Sequence, residues 1–396
     1  LATVISGNRT TGILATLLLF SSWEFAYHAR WAAPDGLLTQ FGILTIWLTI
    51  LSIRAKGYDQ VGWLALAAVT AGLACGAKYY SGIFLLPVLL AGLDFAHRQG
   101  WRWRQALVLG LGLSAIFAAS FLLSTPGGLV EPLRAFKDIQ FEINHYRGGH
   151  FGYTVQPGLE HWRLAISYLA IAAFSPYAPI ALTIFFFSLV GIYALIKQRN
   201  SWIEVAIFLI IPIVHLAYMG LQSVLFVRNY QMLFPFVSIL ASYGFCFFMS
   251  RFTVPNMRLT RIVFSALAIV GLAANFAWQY NAALSIQERG RMDLSTQLEK
   301  YLNEHPNRMF YLSPRAQKLL ENVNFSNIAA NPQEAESYLF LSEEIEYPLS
   351  NRFGLYETPF GPYEVNFNYY PSWDGDSRVV VIRMSNALSQ GLVSPE

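Results

Sequence analysis

Five ionisable residues stand where an apolar chain can least easily keep them. Glu24, Arg30, Asp35, Lys78 and Arg228 each lie at or near the end of a long apolar run. A charge at the centre of a membrane span costs about 2.5–3.5 kcal/mol on insertion scales, so such residues are functional candidates by default. Three cations and two carboxylates converging on one cavity suit an anionic group held at a membrane surface. Arginine gives phosphate two parallel hydrogen bonds and lysine a point charge, and both stabilise the charge left on a departing phosphate. A nearby carboxylate can orient or deprotonate a hydroxyl nucleophile. The chemistry this set suits is group transfer from a lipid phosphate. For any one of the five, snorkelling to the interface or mutual pairing, as of Arg30 with Asp35, is the competing explanation.

The elements that must position these residues are membrane spans. The 396 residues are 55% hydrophobic and 13% charged, with a mean hydropathy of +0.39, which excludes a soluble enzyme. Apolar runs at 12–28, 36–53, 61–77, 80–95, 105–124, 176–196, 203–221, 226–249 and 261–281 predict about nine transmembrane helices, the fourth short enough to be tilted or partly re-entrant. Alternate connections carry Arg54 and Lys56; His97, Arg98, Arg102 and Arg104; Lys197 and Arg199; and Arg251, Arg258 and Arg261. By the positive-inside rule these four are cytoplasmic. All five candidates then fall on the extracytoplasmic side, together with the segment 125–175 and the C-terminal tail.

Residues 1–285 carry 18 basic and 9 acidic side chains, residues 286–396 carry 9 and 15, and the long apolar runs stop at that boundary. The division expected is a transmembrane domain, 1–285, followed by a small soluble α/β domain, 286–396. The basic excess is that of loops at a membrane surface and does not indicate nucleic acid. Helical patterning at 292–304 and short apolar runs at 309–312, 338–341 and 379–384 supply the helix and strands of the tail. Cys75 and Cys246 both sit inside apolar runs and suggest no disulfide or metal framework.

Within 125–175, Leu129, Leu133, Phe136, Ile139, Gln140 and Ile143 form a stripe at helical spacing, with Arg134, Lys137, Asp138 and Glu142 between them. A helix lying on the outer membrane surface is expected. The polar and aromatic run Tyr146 to Tyr153 follows, a candidate substrate loop in which Tyr146 and His150 would make the contacts; the alternative is an interfacial loop anchored by its aromatics. His145, His150 and His161 are spaced by five and eleven residues, which matches no usual ligand pattern, so no metal is assigned.

Several of these segments are similar to a known family. The run from Ala29 to Leu38 resembles the Arg-x4-Asp-x-x-Leu segment of the C-type (GT-C) membrane glycosyltransferases, among them protein O-mannosyltransferases and the lipid A aminoarabinose transferase. The run from Gly72 to Tyr79 resembles their Gly-Leu-Ala-x-Gly-x-Lys-Tyr element. Arg228-Asn229-Tyr230 followed by Pro235-Phe236 resembles a third, with Met232 where a proline is often found, and His145-Tyr146 with Gly149-His150 is similar to the family's outer loop. The resemblance covers about residues 7 to 285. It implies a GT-C-like polytopic fold in a bacterial inner membrane with an extracytoplasmic C-terminal domain. It implies a polyprenyl-phosphate-linked sugar as donor, a lipid, glycan or protein acceptor hydroxyl, and inversion at the anomeric carbon. Arg30 and Asp35 would shape the cavity floor, Lys78 and Arg228 would hold the donor phosphate, and Tyr146 and His150 would contact the sugar or acceptor; Glu24, a further candidate for substrate contact, has no counterpart in it.

Members of that family begin with a further span and an outer loop carrying an acidic residue taken as the base. Gly7 to Thr10 matches the start of their next span, so the chain is expected to lack the first two spans, that loop and the principal base. No cofactor is assigned, and a divalent cation stays open because the family is divided on its use. Two other classes fit the same residues. One is a transporter or flippase for an anionic lipid-linked glycan, although no matching broken half-helices mark two repeats. The other is a non-catalytic membrane partner that uses the tail as an interaction module.

Overall fold

The computed structural model describes residues 1–29, 34–149, 153–198, 201–252, 258–291, 294–320, 324–341, 363–365, 379–389 and 393–394. The chain divides into two compact units, Leu1–Gly149 with Val155–Phe276, and His150–Thr154 with Ala277–Glu396.

In the first unit the helices are α1 (Ala2–Ser6), α2 (Arg9–Phe20), α3 (Trp23–Ala29), α4 (Pro34–Arg54), α5 (Tyr58–Ala77), α6 (Leu85–Arg98), α7 (Trp103–Ser124), α8 (Gly127–Val130), α9 (Pro132–Gly148), α10 (Leu159–Ile171), α11 (Ala178–Lys197), α12 (Trp202–Gly220) and α13 (Phe234–Met249). Helix α14 (Arg258–Arg291) runs without a break through both residue 276, where the units divide, and residue 285, where composition places the boundary. Among the described residues, eight helical segments are long and apolar enough to cross a membrane, and the protein is a helical multi-pass membrane protein.

The eight correspond to all but the first of the nine expected spans. At 12–28 the apolar run is real but the helix is not continuous, because α2 has only 12 residues and stops at Ser21-Ser22. There the Ser22 hydroxyl donates to the Ala173 carbonyl (2.7 Å) and accepts from Phe25 N–H (3.3 Å), so it caps the start of α3 instead of continuing α2. Two other spans are longer than their α-helices. A 3₁₀ turn, Tyr79–Phe84, precedes α6, and another, Val227–Leu233, precedes α13, giving spans of 20 and 23 residues. Short 3₁₀ segments of this kind are common at helix ends and at functional hinges.

The ends of the spans are tied together. Arg54 at the end of α4 donates two hydrogen bonds to Glu204 at the start of α12 (2.9 and 2.8 Å), and Arg98 at the end of α6 donates to the Ile53 carbonyl (3.4 Å). Three of the basic connections therefore share one end of the bundle. Asp35, Lys78 and Arg228 follow at the opposite end from the direction of their helices.

Between the ends, polar side chains bridge helices in pairs. Thr45 and Thr70 join α4 to α5 (2.8 Å), and Ser120 of α7 donates to the Val69 carbonyl (2.8 Å). Helices α11 and α13 approach closely, with Gly191 on the Leu240 carbonyl and Gly244 on the Phe187 carbonyl and no room for a Cβ at either glycine. In lipid, where apolar burial drives helix association only weakly, such small-residue contacts carry the packing.

The second unit contains α15 (Leu294–Glu304), β1 (Phe310–Leu312), α16 (Pro314–Leu319), β2 (Ser337–Leu341), β3 (Tyr363–Val365), β4 (Val379–Arg383) and α17 (Met384–Ser389). Its sheet has the order β1-β2-β4-β3, parallel between β1 and β2 and antiparallel elsewhere. Alternation in β2 sends Leu339 and Leu341 to one face, with Leu298 and Leu302 of α15 and Ala316 of α16, and sends Tyr338 and Phe340 to the other, with Met384 and Ala387 of α17. The expected helix and three expected apolar runs are elements of this α/β unit.

The α11/α13 contact generates a stability test. Gly191→Val forces the two backbones apart and is expected to cost about 3 kcal/mol or more. It should lower the thermal midpoint of the detergent-solubilised protein sharply, whereas Gly62→Ala, at a position with open space around it, should leave the midpoint unchanged.

Candidate functional site

The start of α4, the end of α5, the 3₁₀ turn Val227–Leu233 and the end of α9 meet at one cluster of polar side chains. Lys78 follows the last residue of α5 in an extended backbone conformation that turns the chain into the next 3₁₀ segment. Its ammonium donates to Asp35 Oδ1 at 2.5 Å and to Asn229 Oδ1 at 3.1 Å. Asn229 Nδ2 in turn donates to the Tyr146 hydroxyl at 3.1 Å. Asp35 is buried with only 3% of its surface exposed, and the Lys78 side chain is 16% exposed. Neither charge would be tolerated there without the other.

Arg228 adjoins this cluster. Its charge is felt at Lys78 and at Tyr146, its guanidinium lies over the Phe226 ring (5.1 Å to the centroid), and its Nε is buried without a hydrogen-bond partner. The lysine ammonium has three donors, of which Asp35 and Asn229 take two. Lys78 and the residue next to its partner Asn229, Arg228, are thus two cations with unspent donors at this end, which is the chemistry of an anion site. Burial raises the Tyr146 phenol above its ordinary range, against the hydrogen bond from Asn229 and the charge of Arg228, so Tyr146 is a neutral donor or acceptor near pH 7.

The 3₁₀ turn that carries Arg228 and Asn229 is held from behind by two buried histidines. His215 Nε2 donates to the Asn229 carbonyl (3.0 Å). His161 Nδ1 bonds the Gln222 carbonyl (2.8 Å) and must donate to it, which leaves Nε2 to accept from the Tyr230 hydroxyl at 2.6 Å. Burial lowers the His161 pKa from its ordinary value, consistent with that neutral tautomer. The backbone completes the frame, since Ser223 N–H donates to the Tyr146 carbonyl and Val155 N–H to the Ser223 carbonyl, both at 2.9 Å.

Asp35, Lys78, Arg228 and Tyr146 are thus brought together. Glu24 has partners within α3 and on α10. It is fully buried, and its Oε2 is 3.0 Å from His28 Nε2 and accepts from the Tyr168 hydroxyl at 2.9 Å, which ties α3 to α10. Asp35 pairs with Lys78. Arg30 and His150 lie outside the described residues. Asn229, His215, His161 and Tyr230 are members of the framework that sequence reasoning missed. Asn229 and Tyr230 had a signal, their position directly after Arg228; the histidines had none, because each is a single polar residue with no local partner. Among the described residues, no three His, Cys, Asp or Glu side chains form a group able to hold a metal ion.

Removing one partner of a buried ion pair is more damaging than removing both. Lys78→Met, which strands Asp35, is expected to destabilise by about 3–5 kcal/mol, and the double variant Lys78→Met/Asp35→Asn to recover most of that loss. Thermal unfolding of the wild-type protein, both single variants and the double variant checks the cycle, and a double-variant loss equal to the sum of the two single losses would show that the pair is not coupled. Comparison of the chain with protein-family models, with curated proteins and with solved structures found no match.

Proposed function

We propose that this protein is a GT-C-like integral-membrane glycosyltransferase, which moves a sugar from a polyprenyl-phosphate donor to an acceptor hydroxyl, with inversion, at the membrane face opposite the basic connections. That face is taken as extracytoplasmic by the positive-inside rule, the membrane as a bacterial inner membrane by the family resemblance, and the acceptor as a lipid, glycan or protein hydroxyl.

The observation that carries the reading is the pairing of Lys78 with Arg228 beside a buried carboxylate at the end of the spans. A donor phosphate at this point would take the remaining Lys78 donor and the Arg228 Nε–H. The same two cations would then stabilise the charge that grows on the phosphate as the bond to the sugar breaks. Asp35 and Asn229 keep Lys78 extended toward this point, so the site is built before the ligand arrives and little reorganisation remains at the transition state. Tyr146, hydrogen-bonded through Asn229, offers a hydroxyl beside the same position for the sugar. The site lies where an isoprenoid tail could remain in the bilayer while its phosphate meets the cations.

Incubation of the solubilised protein with a panel of polyprenyl-phosphate hexoses and pentoses tests the reading. Wild-type protein is expected to release polyprenyl phosphate and pass the sugar to an acceptor. Arg228→Ala and the Lys78→Met/Asp35→Asn pair should each lower turnover by about 100-fold or more, with the protein still monodisperse. Wild-type rates in both variants would sink the assignment of the phosphate holders. Movement of the intact donor across a sealed proteoliposome without sugar transfer would favour a flippase, and an inert protein that retains a bound synthase would favour a membrane partner.

A further inference from the structure

The second unit holds a cleft that the transfer reaction leaves unused. It has a volume of about 530 Å³ and is walled by Glu304, His305, Asn307, Arg308, Glu336 and Arg383. Its size falls within the roughly 300–1,000 Å³ of small-molecule sites, but those are lined mostly by apolar side chains. All six of these side chains are polar or charged, so an apolar ligand would strand them.

The walls follow from the packing of α15 on the sheet. Leu298, Tyr301 and Leu302 of α15 cover the face that carries Leu339, Leu341 and Val381. Strand alternation puts Ser337 on that same face, together with its register partner Arg383. The end of α15 and the loop 305–309 therefore meet the sheet where β1 and β2 begin and β4 ends. Buried Asn327 pins that loop by donating to the carbonyls of Leu302 (2.9 Å) and His305 (3.0 Å). Arg308 Nε donates to the fully buried Ser337 hydroxyl (2.8 Å), and its guanidinium lies over the Phe310 ring, 5.5 Å from the centroid. His305 packs on the Tyr301 ring (4.3 Å between centroids), and its Nδ1 donates to the Tyr301 carbonyl (3.0 Å), which leaves Nε2 of the neutral ring as an acceptor. Groups held in this way are in position before a ligand arrives, which lowers the ordering cost of binding.

Arg383 is exposed and shares the cleft with Glu304 and Glu336, yet it forms an ion pair with neither. A plain anion would meet two carboxylates here, and a plain cation two guanidiniums. A ligand that donates to the carboxylates and accepts from the guanidiniums meets neither penalty. Neighbouring hydroxyls of a sugar ring do both, and hydrogen bonds to charged partners are about twice as strong as neutral ones.

We propose that this cleft is a binding site for a neutral carbohydrate chain, in which Arg308 and Arg383 donate to sugar oxygens and Glu304 and Glu336 accept from sugar hydroxyls. The site is made of second-unit residues only and does not rest on the transfer reaction.

The test titrates the whole protein, in a detergent without a sugar headgroup, with linear hexasaccharides of glucose, mannose and N-acetylglucosamine and separately with inorganic phosphate, read by calorimetry. At least one hexasaccharide is expected to bind saturably. Arg383→Ala and Glu336→Ala, both at exposed positions, should each weaken that binding by about tenfold or more with no change in thermal midpoint, and Lys318→Ala, outside the cleft, should bind as the wild type does. Unchanged hexasaccharide affinity in both cleft variants would overturn the assignment, as would the failure of every hexasaccharide to bind. Phosphate binding that Glu336→Ala strengthens, with no hexasaccharide bound, would make the cleft an anion site instead. Donor turnover is measured in none of these titrations, so the transfer reading stands or falls separately.

Discussion

The contact between Lys78 and Asp35 is the interaction on which the rest of this end of the molecule depends. Each charge alone would be costly beside apolar helices, and together with Asn229 they offset one another at the point where three chain segments meet. The pair ties the start of α4 to the end of α5, and Asn229 ties both to the 3₁₀ turn ahead of α13. Arg228 is thereby fixed next to Lys78 although 150 residues separate them in the chain. Two cations brought this close repel, and the carboxylate between the helices is what makes their proximity tolerable.

The interruptions in the helices serve the same end. A continuous α-helix from 58 to 98 would bury the Lys78 backbone in a span and turn its side chain with the helical repeat. The extended residue at 78 and the 3₁₀ turn after it place the ammonium at the mouth of the bundle instead. The turn Val227–Leu233 does this for Arg228 and Asn229, and it needs outside support because short 3₁₀ segments have poor hydrogen-bond geometry. That support comes from His215 and from the His161–Tyr230 pair, which explains why ionisable side chains are kept in the interior of the unit.

Much of the architecture was legible because apolar length has a single cheap solution in a bilayer. Eight of the nine expected spans, and the helix and strands at 294–304, 310–312, 337–341 and 379–383, follow from runs of residue type alone. The first span misled for a local reason: residues 12–28 have the composition of a span, but the hydroxyl of Ser22 found a better partner in the Ala173 carbonyl than in its own helix, and nothing near Ser22 announces a residue so distant in the chain. The expected helix of the outer segment forms as α9, with Leu133, Phe136 and Ile143 of its stripe exposed; that Tyr146 at its end enters the cluster is set by Asn229 and Ser223, which no local pattern announces.

What the sequence determined by itself was the class of the molecule and the residues that cannot be bland: a multi-pass helical protein, a charged tail that forms its own small α/β unit, and Asp35, Lys78 and Arg228 at the ends of spans. Hydropathy and charge cost are properties of single residues and short windows, so they are readable without a fold. Tertiary structure alone decided the pairing, giving Asp35 to Lys78, joining Glu24 to His28 and Tyr168, and recruiting Asn229 and two lone histidines. Hydrogen bonds and ion pairs are relations between residues up to about 150 positions apart, and no local pattern encodes which partner a buried polar group will meet.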